Sequence, residues 1–445
     1  MGKLDTQISR RRFIAGLATA GATLSSPAWA LTRREAVTVL TNHNDDTLAL
    51  FEEAFEKAQS RYRLKLVWLM PPDAMKLLRR KENNGPDVWW QAAPHNHLAD
   101  LAKEDILQAL RIGSAGLPAE IGTVSLLGPD DLYRATQLTA FAFLVNRQAI
   151  ADQNLPWPGD WDVLAGPAYA EKVALSDPAK VRFGSTLLDL AVQTHGWQKG
   201  WALLSAIAGN AVLMPRGLTD EVSSGRQPVA LHIDTVPNAE QRFRQPLERV
   251  YPAHGGIVNV GYIGILKGSK QPAGARAFAE FVLSDEGQRL LPRTDLPRLP
   301  VRPKVYEQLG ERQFNPFVAQ QQGKLAFEAS ENFSRSAILT ALFGALTEDQ
   351  AALARLWARL HAAERRTPSG QPAQLLEARQ ALESTPLAES ALHSTELIEA
   401  FRPPRGLLDP TAQPAEAAKG HIAAWQQGYR TNQALAARLL DEVKA

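Results

Sequence analysis

The sequence predicts an α/β protein with two lobes and a C-terminal helical extension. Short stretches rich in β-branched residues alternate with amphipathic helical stretches from residue 36 onward, and a second alternating series begins near residue 172. Because parallel neighbouring strands need a crossover connection, this alternation implies parallel sheets. Beyond residue 370 the chain is rich in Ala, Glu, Gln and Arg, which favour helices. A length of 445 residues is also too great for one core of ordinary size.

The first series places three strands and two helices along residues 36–90. Leu48, Phe51 and Phe55 recur at helical spacing, which predicts a helix with one apolar face. The predicted strands are 36–41 (AVTVLT), 64–69 (LKLVWL) and 88–90 (VWW), and the predicted helices are 48–58 and 73–83. Parallel sheets hold ligands at the carboxyl ends of their strands. The loops at 42–46 and 90–93 are therefore the first candidate positions for a site.

The second series predicts another α/β unit, and a final set of helices follows it. Its predicted strands are 173–175, 211–214 and 228–233, and its predicted helices are 185–194, 197–207 and 218–224. The apolar, glycine-punctuated residues 257–266 would return the chain to the first unit. A single helix is predicted at 272–291, and helices are predicted from about 334 to 363.

These elements divide the chain into two lobes, of which the first is discontinuous in sequence. We assign residues 31–145 and 255–330 to lobe 1, 146–254 to lobe 2, and 331–445 to C-terminal helices. The two passages between lobes, near residues 145 and 255, would act as a hinge that closes on a ligand. We expect the C-terminal helices to pack on the first lobe.

Composition and charge exclude several classes of function. Cysteine is absent, which rules out disulfides, thiolate nucleophiles, cysteine-ligated metals and a lipid-anchor cysteine. The chain has 49 basic and 47 acidic residues, and without the surplus of three positive charges in residues 1–30 the remainder is close to neutral. Such a protein has no global field that would attract nucleic acid. We also find no Gly-x-Ser-x-Gly or His-Glu-x-x-His pattern and no nucleotide-binding glycine loop, so we expect no enzyme and no cofactor.

The first thirty residues resemble a twin-arginine export signal. Ser9 and three arginines precede Phe13, a mild apolar run follows, and Ala28-Trp29-Ala30 supplies a signal-peptidase pattern. The apolar run is far shorter than the roughly 20 residues that span a bilayer. An ordinary secretory leader is the alternative. We expect cleavage near Ala30 and a periplasmic protein.

Several stretches together resemble the family-1 extracellular solute-binding proteins, the periplasmic receptors of ABC importers. The resemblance covers roughly residues 36–365 and leaves 366–445 unmatched. The stretches are 48–55 (LALFEEAF), 84–90 (NGPDVWW), 98–107 (LADLAKEDIL), 161–178 (WDVLAGPAYAEKVALSDP), 196–208 (GWQKGWALLSAIA), 278–291 (FAEFVLSDEGQRLL) and 299–306 (LPVRPKVY). They are most similar to the branch of ferric-iron, sugar-phosphate and phosphoglycerate binders. The resemblance implies a type II periplasmic binding protein fold that closes on a small solute and docks on a membrane permease, and we expect a monomer.

An anionic organic solute fits the candidate residues of the second lobe. Ser185 and Thr186 open a predicted helix, whose free N–H groups and positive dipole end attract an anion, although plain helix capping explains them equally well. Arg216 follows a strand, where its guanidinium could grip a phosphate or carboxylate, although a surface arginine is the default reading. Asp234 ends a strand and could receive an amino or hydroxyl group, or pair with Arg216.

The first lobe contributes Asn42, His43 and Trp90 to the predicted site. Asn42 and His43 would face the ligand across the cleft, and His43 could carry charge beside an anion, although a cap or loop role is the alternative. Trp89 and Trp90 face opposite ways by alternation, so that one enters the core and the other can wall the cleft.

Two further functions stay open from sequence. Ferric-iron receptors of this family use adjacent tyrosines, and none of the seven tyrosines here has a tyrosine neighbour. A cluster of His43, His95 and His97 could be drawn as a metal site, but it lacks a carboxylate at ligand spacing, and we expect no metal. The other alternative is a periplasmic sensor that signals to a two-component system, for which the unmatched C-terminal extension would be a docking surface.

Overall fold

The computed structural model describes most of the chain beyond the predicted leader. The described residues are 34–80, 85–92, 96–113, 115–181, 183–234, 247–256, 258–294, 296–310, 314–325, 327, 329–367, 372–402 and 416–443. The predicted export signal, its cleavage position near Ala30 and His95 of the candidate metal cluster lie outside the described residues.

The first series forms the predicted parallel arrangement. Its elements are β1 (Glu35–Thr41), α1 (Asp45–Ala58), β2 (Tyr62–Trp68), α2 (Pro71–Leu78) and β3 (Val88–Gln91). Strand β1 lies between β2 and β3 and pairs with both in parallel. All three strands therefore end at one edge of the sheet, which places the loops after β1 and β3 side by side.

A long strand then connects the two parts of the sheet. The chain passes through α3 (His97–Lys103), β4 (Leu107–Gln108), β5 (Glu120–Ile121), β6 (Val124–Ser125) and β7 (Tyr133–Val145). The first half of β7 pairs with the later return strand at Val258–Leu266, which lies next to β3, and its last five residues pair with a strand of the second series. One continuous strand thus belongs to both halves of the molecule.

The second series is also built as predicted, with short strands that end at a common edge. After α4 (Arg147–Asp152) and α5 (Trp161–Ala165) its elements are β8 (Val173–Ser176), α6 (Gly184–His195), α7 (Trp197–Asn210), β9 (Ala211–Met214), α8 (Leu218–Ser224) and β10 (Val229–Ile233). The strands β8, β9 and β10 are parallel. Return strands β11 (Glu248–Val250) and β12 (Val258–Leu266) complete the order β2-β1-β3-β12-β7-β10-β8-β9, with β11 beside β7.

The remaining described elements are helical. They are α9 (Pro272–Leu283), α10 (Asp285–Leu290), α11 (Pro316–Gln321), α12 (Ala329–Leu346), α13 (Gln350–Arg366), α14 (Ala373–Glu383), α15 (Thr395–Ala400) and α16 (Glu416–Glu442). The single helix predicted at 272–291 is wrong, because it is broken at Ser284. Ser284 is extended, and its hydroxyl accepts a hydrogen bond of 3.1 Å from the Gly287 N–H, which starts a new helix.

Two large apolar clusters divide the core. The first-lobe core lies around β1, β3 and β12, with Phe51, Phe55 and Phe278 among its buried rings. The second-lobe core lies around α6 and α7, with Trp161 and Trp201 fully buried.

The C-terminal helices belong to the second-lobe core. The expectation that they pack on the first lobe is wrong, because Leu342, Trp357 and Leu439 are buried in one cluster with Trp201. A Cβ at Gly209 of α7 would lie 2.3 Å from the Trp357 ring, so this close approach requires glycine. Among the described helices, none combines the length and apolar character that crossing a bilayer requires.

Candidate functional site

The ends of β1 and β3 bring the first-lobe candidates together. The side-chain oxygen of Asn42 accepts a hydrogen bond of 2.9 Å from the Ala92 N–H, which ties the loop after β1 to the loop after β3. The ring of His43 stacks on Trp90 with centroids 3.9 Å apart. Both rings are buried, and the Trp90 Nε1–H donates to the Thr136 hydroxyl at 3.1 Å. Asn42 therefore fixes the loop that carries His43, while Trp90 fixes the plane of the imidazole.

His43 is buried with both ring nitrogens unsatisfied. Neither Nδ1 nor Nε2 finds a hydrogen-bond partner among the described residues. Burial, together with the positive charge of Arg298, holds the pKa of His43 well below its usual range, so the ring is neutral at pH 7. A buried neutral imidazole offers one donor and one acceptor, and in His43 neither is used by another described residue.

Asp234 lies directly after β10, where the chain leaves the second lobe. The N–H of Asp234 donates to the carbonyl of Ala140 in β7 at 2.8 Å, and the carbonyl of Asp234 accepts a hydrogen bond of 2.7 Å from the Arg249 Nε–H. The Tyr251 hydroxyl donates to its Oδ2 at 3.3 Å. Oδ1 is buried and accepts no hydrogen bond from the part of the chain that the structure describes. Hydrogen bonds therefore fix the backbone of Asp234 on two sides, while one of its carboxyl oxygens has no partner among the described residues.

Arg298 stands opposite Asp234. A short antiparallel bridge between Leu299 and Leu138 of β7, with N–O distances of 2.7 and 2.8 Å, fixes the segment that carries it. The Nη1 of Arg298 is buried and donates to no group within the described residues. Its charge lowers the pKa of both His43 and Asp234, so it acts on groups of both lobes.

Asp234 and Arg298 line a polar cavity beside the middle of β7, whereas Asn42, His43 and Trp90 are not among its lining residues. The cavity has a volume of about 90 Å³, and its lining residues are Asp234, Arg249, Tyr251, Pro292, Pro297, Arg298 and Leu299. We call it the central cavity. Two guanidinium groups face one carboxyl group in it, so its charge is positive when Asp234 is ionised and more so when Asp234 is protonated.

Burial dominates the ionisation of this cluster. It raises the pKa of Asp234 to about 7, against the opposing influence of the Ala140 backbone, Arg249, Arg298 and the Tyr251 hydroxyl. It also lowers the pKa of Arg298 to about 10. The pKa values of Tyr251 and Tyr306 are raised well above their usual range, again mainly by burial. Both phenols therefore stay protonated at neutral pH.

Gln137 adds a further unsatisfied group at the middle of β7. Both its amide oxygen and its amide nitrogen are buried without a partner among the residues described. The residue opposite it in β12 is Gly261, where a Cβ would lie 2.8 Å from the Gln137 side chain. Glycine at this position leaves the space that the amide occupies.

The second-lobe candidates at the start of α6 and after β9 lie apart from the central cavity's lining. Ser185 is buried and Thr186 half-buried in the first turn of α6, whose preceding residue Phe183 has its ring 5.2 Å from that of His232 in β10. Arg216 is exposed and forms no ion pair with any described side chain. The cationic neighbours of Asp234 are Arg249 and Arg298 rather than Arg216. Ligand roles for Ser185, Thr186 and Arg216 stay predictions.

Sequence reasoning missed Arg249 and Arg298 and considered Tyr251 only as a partner in an iron site. Arg298 follows a proline in an irregular segment, far in sequence from the end of any predicted strand. Its place depends on the bridge to β7, for which no local pattern exists. The only available signal was the dipeptide Tyr251-Pro252 next to the predicted hinge.

The described residues offer no obvious metal centre. No group of three or more His, Asp or Glu side chains within them is arranged to hold a metal ion. The hydroxyl of Tyr251 donates to Asp234, and that of Tyr306 donates to the carbonyl of Pro300 at 2.9 Å.

The sequence matches one protein-family model and is similar to a named bacterial relative. Residues 125–322 match the family model described as a bacterial extracellular solute-binding protein. The Phosphoglycerate transport regulatory protein PgtC of Salmonella typhimurium is 28% identical over 318 residues, which are 70% of this chain and 74% of that protein. The description of the family model names solute binding, and the name of the relative describes transport regulation.

Solved structures agree on the fold. A putative extracellular solute-binding protein from Bordetella parapertussis superposes with a TM-score of 0.55 at 16% identity, covering 68% of this chain and 96% of that one. The periplasmic binding protein AfuA from Actinobacillus pleuropneumoniae, solved with fructose-6-phosphate bound, gives a TM-score of 0.50 at 16% identity, covering 67% and 96%. Iron-bound HitA from Pseudomonas aeruginosa gives 0.50 at 17% identity, covering 68% and 99%. The fold is that of the two-lobed type II periplasmic binding proteins.

Proposed function

We propose that this chain, which carries the sequence match and the fold of the bacterial extracellular solute-binding proteins, is the periplasmic receptor of an ABC import system. It encloses a small anionic organic solute between its lobes and delivers it to a membrane permease. The export signal read from residues 1–30 supports the periplasmic location. The absence of catalytic motifs in the sequence supports binding without turnover.

The observation that carries the proposal is the set of buried, unsatisfied polar atoms at the junction of the lobes. Within the described residues, Arg298 Nη1, both nitrogens of His43 and Oδ1 of Asp234 have no partner. Leaving such groups unpaired in a protein interior costs about 1–3 kcal/mol each, and more for charged groups. A solute that supplies partners recovers this free energy, so the arrangement favours a bound state.

The charge of the cavity favours an anion. Arg249 and Arg298 both line it, and a guanidinium can hold a phosphate or carboxylate through two parallel hydrogen bonds. The neutral imidazole of His43 adds a donor from the other lobe. The relative's name, which mentions phosphoglycerate, and the fructose-6-phosphate bound to AfuA support a phosphorylated solute. We take 3-phosphoglycerate and fructose 6-phosphate as the first probes.

Two measurements test this function. Native mass spectrometry of freshly purified protein should show a retained small anion or, after dialysis, a complex with one of the two probes. Isothermal titration calorimetry should then show that Arg298→Ala weakens the binding of that probe by about 1.5–3 kcal/mol, because a charged hydrogen-bond partner is lost.

The matched control is Arg226→Ala. Arg226 is an exposed arginine whose guanidinium pairs with Glu221 at 2.5 Å, away from the central cavity. Its loss should leave affinity unchanged. Equal affinity in wild type and Arg298→Ala would contradict the proposed site, and turnover of either phosphate ester would contradict a receptor.

A sensor is the second candidate function. The relative's name describes a transport regulatory protein, and the C-terminal helices form a layer on the second lobe that could dock on a membrane partner. Pull-down from solubilised membranes separates the two functions. Capture of an ABC permease supports the receptor, and capture of a membrane histidine kinase supports the sensor. Ferric iron is the remaining alternative, and a tyrosinate-to-iron absorption band on adding ferric citrate would favour it over an organic anion.

A further inference from the structure

We propose that the central cavity takes the dianionic head of a phosphate monoester together with one proton, which Asp234 receives as the solute binds. The inference rests on the proposed function and goes beyond it, because it names the charge state of the solute and gives Asp234 a role in selecting it. Among the described residues that line the central cavity, Asp234 is the one carboxyl group. A carboxyl group in a cavity proposed to hold an anion needs an explanation.

The surroundings of Asp234 are defined on every described side. Arg249 and Tyr251 approach it from β11 and the residues after it, with the Arg249 Nε–H on its carbonyl and the Tyr251 hydroxyl on Oδ2. Arg298 faces it from the segment bridged to β7, and Tyr306, in the short helix Pro303–Gln308, is close enough to influence its ionisation. The charge of Arg298 also lowers the pKa of His43. Oδ1 has no partner among these groups.

In the unliganded protein, Asp234 acts as the internal counterion of the two arginines. With Asp234 ionised, the lining carries two positive charges and one negative charge. A solute anion that pairs with Arg298 replaces Asp234 as its counterion. The Asp234 carboxylate is then buried next to a second negative group, and two negative charges side by side in a protein interior repel each other strongly.

Protonation removes the repulsion and balances the charges. One proton passes from solvent to Oδ1, no covalent bond of the solute changes, and the carboxylic acid becomes a donor towards a solute oxygen. Two arginines, a neutral Asp234 and a phosphate dianion then sum to zero. The pKa of Asp234, already raised to about 7 by burial, makes the proton available near neutral pH with little further change.

Calorimetry in two buffers measures the proton directly. Wild-type protein is titrated at pH 8.0 with fructose 6-phosphate or 3-phosphoglycerate, in HEPES and in Tris, whose heats of ionisation differ. At this pH the phosphate group is a dianion, since its second pKa is near 6. The dependence of binding heat on buffer gives the protons taken up, and we expect about 0.5–1 per solute for wild type. Asp234→Asn, which keeps the shape and cannot titrate, should bind with an uptake near zero.

His43→Gln provides the comparison, because His43 is another titratable group that the charge of Arg298 influences and could take a proton when an anion arrives. The variant should bind the solute more weakly, because His43 is part of the proposed site, but the protons taken up per solute bound should persist. Binding by wild type without proton uptake, or uptake that persists in Asp234→Asn and disappears in His43→Gln, overturns the inference while the proposed function stands. If neither phosphate ester binds wild type while a different anion does, the phosphate assignment fails and the receptor function stands. If no anion binds at all, the proposed function fails with it.

Discussion

At the scale of single residues, Asp234 lowers the stability of the folded protein when it is ionised, and we propose that it also takes part in binding the solute. It is 4% exposed, and one of its carboxyl oxygens has no partner in the described structure. Its pKa is about 7 in the folded protein and about 3.8 when solvated. The folded state therefore binds more protons than the unfolded state between these values. Stability from this group is present at low pH and is lost as the pH rises through about 7.

Asp234→Asn should remove this pH dependence. At pH 8 the variant should be more stable than wild type, by as much as about 4 kcal/mol, because it no longer buries a carboxylate. At pH 4 the two proteins should differ little. Urea unfolding at a series of pH values measures the difference, with the exposed Asp220→Asn as control. A variant less stable than wild type at pH 8 would show that the ionised carboxylate is well compensated.

Three of the site residues predicted from sequence lie just beyond a strand. Asn42, His43 and Asp234 follow the ends of β1 and β10, and the rule that ligand sites lie at carboxyl ends of parallel strands predicts them. Their roles in binding stay predictions. Arg298 follows no strand or helix end, and a two-residue bridge to β7 places it. Such a contact between residues 161 positions apart leaves no local pattern.

At the scale of elements, the strands and most helices follow from the alternation of apolar patterns. The structure differs from the prediction at Ser284. The apolar periodicity continues through this position, but the serine hydroxyl caps a new helix and ends the preceding one. The side of the molecule that the C-terminal helices cover was not predictable in this way. An amphipathic sequence indicates that a helix packs against another surface, but it does not identify that surface. In the structure the buried Arg335 of α12 identifies it as the second lobe.

Arg335 ties α12 to α6 of the second lobe. Its Nη2 lies 2.7 Å from Oδ1 of Asp189, which is fully buried. Arg335→Ala should destabilise the protein by about 3–5 kcal/mol, because it leaves an uncompensated charge in the core. Denaturant unfolding measures the loss.

An exposed arginine of the same helical layer serves as the control. Arg430 pairs with Glu348 at 2.9 Å with both side chains largely exposed. Arg430→Ala should change stability by no more than about 1 kcal/mol. Equal effects of the two substitutions would mean that the contact between α12 and α6 does not hold the C-terminal layer on the second lobe.

At the scale of the whole molecule, the two cores share the strand β7. Its first half is buried in the first-lobe cluster, and Phe141 and Phe143 in its second half belong to the second. The central cavity lies where this strand passes between lobes. Its volume of about 90 Å³ corresponds to roughly three water molecules. A phosphorylated organic solute is larger, so binding requires the lobes to part and to close again around it.

We propose that both lobes hold the phosphate of a small solute, through Arg298 and His43. A crystal structure of the protein grown with the phosphate ester that binds shows whether they do. We expect phosphate density between the lobes, within hydrogen-bond distance of Arg298 Nη1 and a ring nitrogen of His43, with Oδ1 of Asp234 on a solute oxygen. Density at Arg216 and Ser185 instead, with Arg298 and His43 bound to water alone, would contradict it.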